Sequence, residues 1–128
     1  MAKPKVFVLT DDQATVAAVR SSIESECEVF VAAWDRTAVV QIHEQAPLVM
    51  LLDLGSSFDP AVEERVRVLQ EVRQTGHAGK VIACTERTER RLAVRAIQYG
   101  AYDVLSKPLD ITLLAQLIRR AAGVADLE

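Results

Sequence analysis

Short apolar runs alternate along this chain with segments whose apolar residues recur every three or four positions. Lys5 to Thr10 is the first run, and from Gln13 to about Ser25 the residues Val16, Val19 and Ile23 fall at helical spacing. Glu28 to Ala33 is a second run, rich in β-branched and aromatic residues. Asp35 to Gln45 reads as a helix with Ala38, Ile42 and Ala46 on one face and Pro47 as its stop. Leu48 to Asp53 is a third run, with no polar residue before its final Asp. After a loop from Leu54 to Asp59, Pro60 is placed at a first helical position with Asp59 as cap. Val62, Val66, Leu69 and Val72 give that helix its inner face. Gly76 to Gly79 turns the chain into a fourth run, Lys80 to Thr85. Thr88 to Tyr99 is an Arg-rich helix ended by Gly100. Asp103 to Ser106 is the fifth run and Lys107-Pro108 its break. Asp110 caps the last helix, with Leu109 and Leu114 spaced as a hydrophobic staple.

Five strand–helix pairs with continuously apolar strands call for a parallel sheet covered on both faces. Right-handed crossovers leave few topologies. The expectation is an α/β fold: a doubly wound (βα)5 sandwich with a five-stranded parallel sheet of flavodoxin-like order 2-1-3-4-5. The chain has 128 residues, of which 50% are hydrophobic and 26% charged, enough for one domain with a core and not for two. The reading divides it into a domain over residues 1–122 and a tail or start of a linker over 123–128. A net charge of -3 argues against direct nucleic-acid binding by this domain. No run reaches the roughly 20 apolar residues of a membrane span, and the first residues do not read as a secretory signal. The expected address is therefore cytoplasmic, without membrane contact. Cys27 and Cys84, the two cysteines, read as reduced, buried thiols.

The chemistry gathers at the strand ends. Four of the five apolar runs release polar residues at the same edge: Asp11 and Asp12 after the first, Asp53 at the third, Thr85 at the fourth, Ser106 and Lys107 at the fifth. In this strand order the first and third strands flank the switch point, where ligands bind. Three carboxylates there repel one another unless a cation joins them. Hard oxygens with room for water suit Mg²⁺. Lys107 adds a positive charge and Thr85 a hydroxyl, so the edge describes a site for a phosphoryl group. One carboxylate is then ligand or nucleophile. Singly, Asp11, Asp12 and Thr85 are more often helix caps. Asp53 differs, because it ends a buried strand and no helix starts until about Pro60.

These residues resemble the receiver domain of two-component response regulators. The resemblance runs from Lys5 to about Ala122. It is carried by Asp11-Asp12, by Asp53 within Leu51 to Leu54, by Thr85, and by the stretch from Gly100 to Pro108. It implies that Asp53 is the phosphoacceptor, supplied by a histidine kinase, a phosphotransfer protein or a small phosphodonor. Asp12 then ligates Mg²⁺ directly, Asp11 mainly through water, and the backbone carbonyl of Gly55 completes the shell. Thr85 and Lys107 bind phosphoryl oxygens, and the Lys107–Pro108 peptide is cis. The implied output is a switch of the surface made by the fourth helix, fifth strand and fifth helix, with transcription control as its end. Such a phosphoprotein is a signalling domain, with at most self-phosphorylation from small donors and self-dephosphorylation. The phrasing around Gly100 and Lys107 looks most like N-terminal receivers of sigma-54-dependent activators.

Three departures stand out. Val104 occupies the place of the family's usual Tyr or Phe, with Tyr102 two residues earlier. Glu86 follows Thr85 where the family prefers a small residue. The loop after Asp53 lacks the usual Met-Pro and is about four residues longer. They favour the alternative of a receiver-like interaction module not switched by phosphorylation, which the intact Asp11, Asp12, Asp53, Thr85 and Lys107 oppose. A flavin or nucleotide enzyme on the same sheet is disfavoured, because the charges of Asp11 and Asp12 would repel phosphate without metal. A hydrolase is disfavoured because neither His43 nor His77, both read as surface residues, lies near a strand end. The arginines Arg87, Arg90, Arg91 and Arg95, with Arg119 and Arg120, suggest a homodimer through the switch surface, pairing with Asp103 or Asp110. An effector domain or downstream protein is the remaining expected partner.

Overall fold

The computed structural model describes residues 3–75 and 79–123. Its elements are β1 (Lys5–Leu9), α1 (Gln13–Ile23), β2 (Glu28–Ala32), α2 (Ala38–Gln45), β3 (Val49–Gly55), α3 (Val62–Gln74), β4 (Lys80–Thr85), α4 (Arg90–Gln98), β5 (Asp103–Ser106) and α5 (Ile111–Ala122). All pairings are parallel, and the strand order is β2-β1-β3-β4-β5, as the apolar runs required. No described helix is long and apolar enough to cross a membrane.

Strand alternation sorts the core into two layers. Phe7, Leu9, Met50, Leu52, Leu54, Val81 and Ala83 face α2, α3 and α4. Val6, Val8, Val49, Leu51, Ile82 and Cys84 face α1 and α5. Cys27 and Cys84 are both free and buried. Asp53 continues the parity of Val49 and Leu51. It therefore emerges on the α1 and α5 side of the sheet, beyond the apolar layer. β3 pairs with β4 in register up to Asp53 and Cys84, then shifts so that Gly55 lies opposite Thr85. Such an irregularity re-aims side chains at a strand end, and Gly55 accommodates it with φ +74.

Three helices start later than their periodicity suggests, each for a local reason. Asp35 Oδ1 accepts from both the backbone N–H and the hydroxyl of Thr37, which holds a turn and delays α2 to Ala38. Ala46 stands at the end of α2 in the left-handed region at φ 46, exposed and off the inner face. Asp59 Oδ1 accepts from Ala61 N–H, so Pro60 lies in a turn and α3 begins at Val62. Thr88 has φ 65, which excludes it from α4. Asp110 caps α5 by accepting from Leu113 N–H, and Leu109 packs against the core cluster that contains Leu114. The Gly76 to Ala78 part of the turn before β4, with His77, and residues 124–128 lie outside the described residues. His43 is exposed.

Candidate functional site

β1, β3 and β5 bring their ends to one edge of the sheet. Asp12 ends the turn after β1 and caps α1, accepting from Ala14 N–H at 3.1 Å. Lys107 follows β5 and reaches back across the edge. Its ammonium donates to Asp53 Oδ2 at 2.8 Å and to Asp12 Oδ2 at 3.0 Å, and lies 3.1 Å from Glu86 Oε2. The Lys107–Pro108 peptide is cis. Asp53 is buried, with 5% of its surface exposed. A buried carboxylate needs partners, and Asp53 has three: Lys107, the Thr10 hydroxyl at 2.6 Å on Oδ2, and the Gly55 N–H at 3.1 Å on Oδ1.

Asp12 and Lys107 are held in their ionised forms. Hydrogen bonds from Thr15 and then Lys107 keep the Asp12 carboxyl below the ordinary carboxylate range. Burial pulls the Lys107 ammonium down, but its bonds to Asp53 and Asp12 outweigh this and raise it. Burial, and then the charge of Asp53, push the Cys84 thiol up.

Above these groups lies a cleft of about 400 Å³, lined by Asp11, Asp12, Trp34, Asp53, Gly55, Asp59, Arg65, Glu86 and Lys107. Five carboxylates face two cationic side chains there. That excess of hard anionic oxygen fits a divalent cation such as Mg²⁺ in charge and in donor chemistry. The donors are turned toward internal partners. Asp11 accepts from Trp34 N–H at 3.2 Å, and the Gly55 carbonyl accepts from Glu86 N–H at 2.8 Å. Among the described residues no three acidic, His or Cys side chains already converge on one point that could hold an ion.

Of the residues singled out from the sequence, Asp12, Asp53 and Lys107 meet directly. Asp11 and Gly55 line the same cleft. Thr85 does not. It ends β4 opposite Ser106, and with Thr88, Glu89, Arg90, Ala93 and Val104 it lines a separate groove of about 300 Å³ beside α4. The β3–α3 loop and the start of α4 are tied together, because Glu89 accepts from Ser57 N–H at 3.0 Å and from the Ser56 hydroxyl at 3.2 Å.

Three further residues belong to the site. Thr10 orients Asp53. Trp34, just past β2, donates its indole N–H to the Asp53 backbone carbonyl at 3.0 Å. Arg65 reaches the cleft from the first turns of α3. Its signal lay in the periodicity: a charge three residues after Val62 and four before Leu69 sits on the face those residues bury. Thr10 and Trp34 carried only the signal of polar or amphipathic residues at strand ends.

A family model described as the response regulator receiver domain matches residues 6–119. The signal receiver domain of a protein described as a Luxo repressor, from Vibrio parahaemolyticus, superposes with a TM-score of 0.80 at 26% identity, covering 98% of this chain and 94% of that one. NtrX from Brucella abortus, solved with ADP, shares the fold with a TM-score of 0.81 at 24% identity, over 99% of this chain and 28% of that one. Protein CcdB of Bacillus subtilis (strain 168) is 29% identical over 62 residues, 48% of this chain and 52% of that protein. The chain thus spans about half the length of that relative.

Proposed function

The chain belongs to the response regulator receiver family, and on that premise we propose that Asp53 accepts a phosphoryl group from a histidine kinase or phosphotransfer protein. The observation that carries this reading is a buried carboxylate at the mouth of an acidic cleft, bonded to the Lys107 ammonium at 2.8 Å. Asp53 Oδ1 accepts one hydrogen bond and Oδ2 two, which leaves Oδ1 the freer nucleophile. Oδ1 attacks phosphorus and the bond from phosphorus to the donor breaks. The donor atom, an imidazole nitrogen or an acyl phosphate oxygen, leaves with the electron pair. Lys107 neutralises charge on the phosphoryl oxygens, and positioning does the rest.

Asp11, Asp12, Asp53 and the Gly55 carbonyl are the groups that would hold Mg²⁺. When bound, it supplies the positive charge that lets a carboxylate meet an anionic phosphoryl group. Thr85 would turn from its groove toward the new phosphoryl oxygens. The modification adds nearly two negative charges and three acceptor oxygens. Glu89, at the start of α4, already holds the loop that follows Asp53, so a change at Asp53 has a direct route to α4.

The output surface is α4, β5 and α5, where Val94, Ile97 and Tyr102 are exposed apolar residues. A homodimer through this face is part of the proposal. Arg95 and Arg119 already pair within the chain, with Glu63 and Glu26, which leaves Arg87, Arg90, Arg91 and Arg120 as the arginines for a partner. An effector domain or downstream protein would read the switch. Transcription control, at a cytoplasmic address, is supported by the likeness to a receiver from a protein described as a repressor.

The second reading is an interaction module that phosphate does not switch. The ion pair of Glu86 with Lys107 favours it, because it engages the ammonium that phosphate would need. Intact mass after incubation with Mg²⁺ and acetyl phosphate separates the two. A gain of about 80 Da, lost on chelation and absent from Asp53→Asn, is expected for an aspartyl phosphate. A wild-type chain that stays unmodified and also fails to bind the phosphoryl mimic beryllium fluoride would favour the second reading.

A further inference from the structure

Arg65 stands in the acidic cleft and has no part in the phosphoryl chemistry described above. Its Nη1 donates to Asp59 Oδ2 at 2.8 Å and reaches the Leu54 carbonyl at 3.4 Å. Its Nη2 lies 3.9 Å from Asp11 Oδ2. The guanidinium lies over the ring of Trp34, 5.8 Å from its centroid. It also runs so close to Gly55 that a Cβ there would meet Nη1 at 2.8 Å. The guanidinium therefore lies within ion-pair distance of one of the four groups that would hold a divalent cation, Asp11, and beside the backbone of a second, Gly55. A guanidinium and a divalent cation in one narrow cleft compete for the same carboxylates and repel each other.

The hold on Arg65 is incomplete. Its Nε–H is buried without a hydrogen-bond partner, which favours a state in which the side chain has swung out to water. We propose that Arg65 is the resident counter-ion of the acidic cleft, which a divalent cation must displace. Binding of the cation then requires Arg65 to leave Asp11, and the affinity is lower than the carboxylates alone would give. Departure of Arg65 also frees Asp59 and the start of α3, so metal loading is coupled to the loop after Asp53. This inference rests on the reading of the cleft as a divalent-cation site.

The chain carries its own reporter. Trp34 is the single tryptophan, bonded to the Asp53 carbonyl and covered by the guanidinium. Wild type and Arg65→Gln would be titrated with MgCl2 at fixed ionic strength, followed by calorimetry and by Trp34 emission. Arg65→Gln is expected to bind Mg²⁺ about tenfold more tightly, the effect of one like charge about 5 Å from a divalent ion near aqueous screening. In the ¹⁵N-labelled wild type, Mg²⁺ should shift the Arg65 Nε–H resonance and speed its exchange with water. Equal or weaker binding by Arg65→Gln overturns the proposal, and urea denaturation verifies that the variant is folded. Calorimetric binding to wild type that leaves Trp34 emission and the Arg65 resonance unmoved overturns it as well, whatever the variant does. If neither protein binds Mg²⁺ at tens of millimolar, the cation reading of the cleft itself fails with it.

Discussion

The ammonium of Lys107 lies 2.8 Å from the carboxylate of Asp53, 54 residues earlier in the chain. Their side chains are 13% and 7% exposed, so this ion pair is largely out of water. A pair in that setting adds little over an apolar substitute, but losing one member strands the other. Lys107→Met should therefore destabilise the fold by about 3 kcal/mol in urea denaturation. Placed on an Asp53→Asn background, the same substitution should cost well under half of that, because no buried charge is left behind. Equal costs in the two backgrounds would show that Lys107 is not coupled to Asp53.

Asp12 gives the pH dependence. Its folded pKa is depressed below the ordinary 3.8, first by the Thr15 hydroxyl and then by Lys107. A depressed carboxylate contributes stability that is fully present above its unfolded value. That contribution is lost as the pH falls through the folded value. The stability of wild type relative to Asp12→Asn should thus be level from pH 7 down to about 5 and decline below 3.8, the wild type losing ground. Urea midpoints of both proteins down to about pH 2.5 test this. A difference that stays constant over the whole range would mean that folding does not lower the Asp12 pKa.

The sheet and its strand order were legible because buried parallel strands leave continuous apolar runs, and Asp53 was legible because it interrupts one. Asp12 and Asp53 could be placed together from topology, since β1 and β3 are neighbours in this order, and Lys107 could be placed at the same edge, from which its long side chain reaches them across the end of β4. Helix starts were not legible at Asp35 or Thr88, where side-chain hydrogen bonds and a left-handed backbone compete with periodicity. Thr85 shows the deeper limit. Its place in the strand was predictable, but which cleft its side chain lines depends on the groove beside Val104, which no local pattern encodes. Arg65 and Trp34 were missed because each acts through a long side chain reaching from a different element.

The two thiols should be inert and ranked. Cys84 is fully buried and beside Asp53, so burial and then that negative charge raise its pKa. Burial also raises that of Cys27, which is 6% exposed. Thiolate is the reactive form. Alkylation by iodoacetamide at pH 8 should be at least about a hundredfold slower in the native chain than in urea, with Cys27 labelled before Cys84. Peptide mapping of the alkylated chain reads the order. Labelling of Cys84 first would contradict the burial that places it beneath the site.

Glu86 lines the cleft that, on the proposed function, a phosphodonor would enter. Its carboxylate lines the cleft, pairs with Lys107 at 3.1 Å and is half exposed. It does two things to an approaching dianion: it repels it, and it competes for the ammonium. Removing one such charge about 5 Å from a phosphoryl group, with salt present, should speed adduct formation from acetyl phosphate about fivefold. Glu86→Gln keeps the size and removes the charge, so it should show most of the increase, and the advantage should shrink as ionic strength rises. If Glu86→Ala is fast while Glu86→Gln stays slow, Glu86 blocks by bulk instead of charge. If both match wild type, the Glu86 pair with Lys107 opens at no cost, and the departure at this position does not govern access to Asp53.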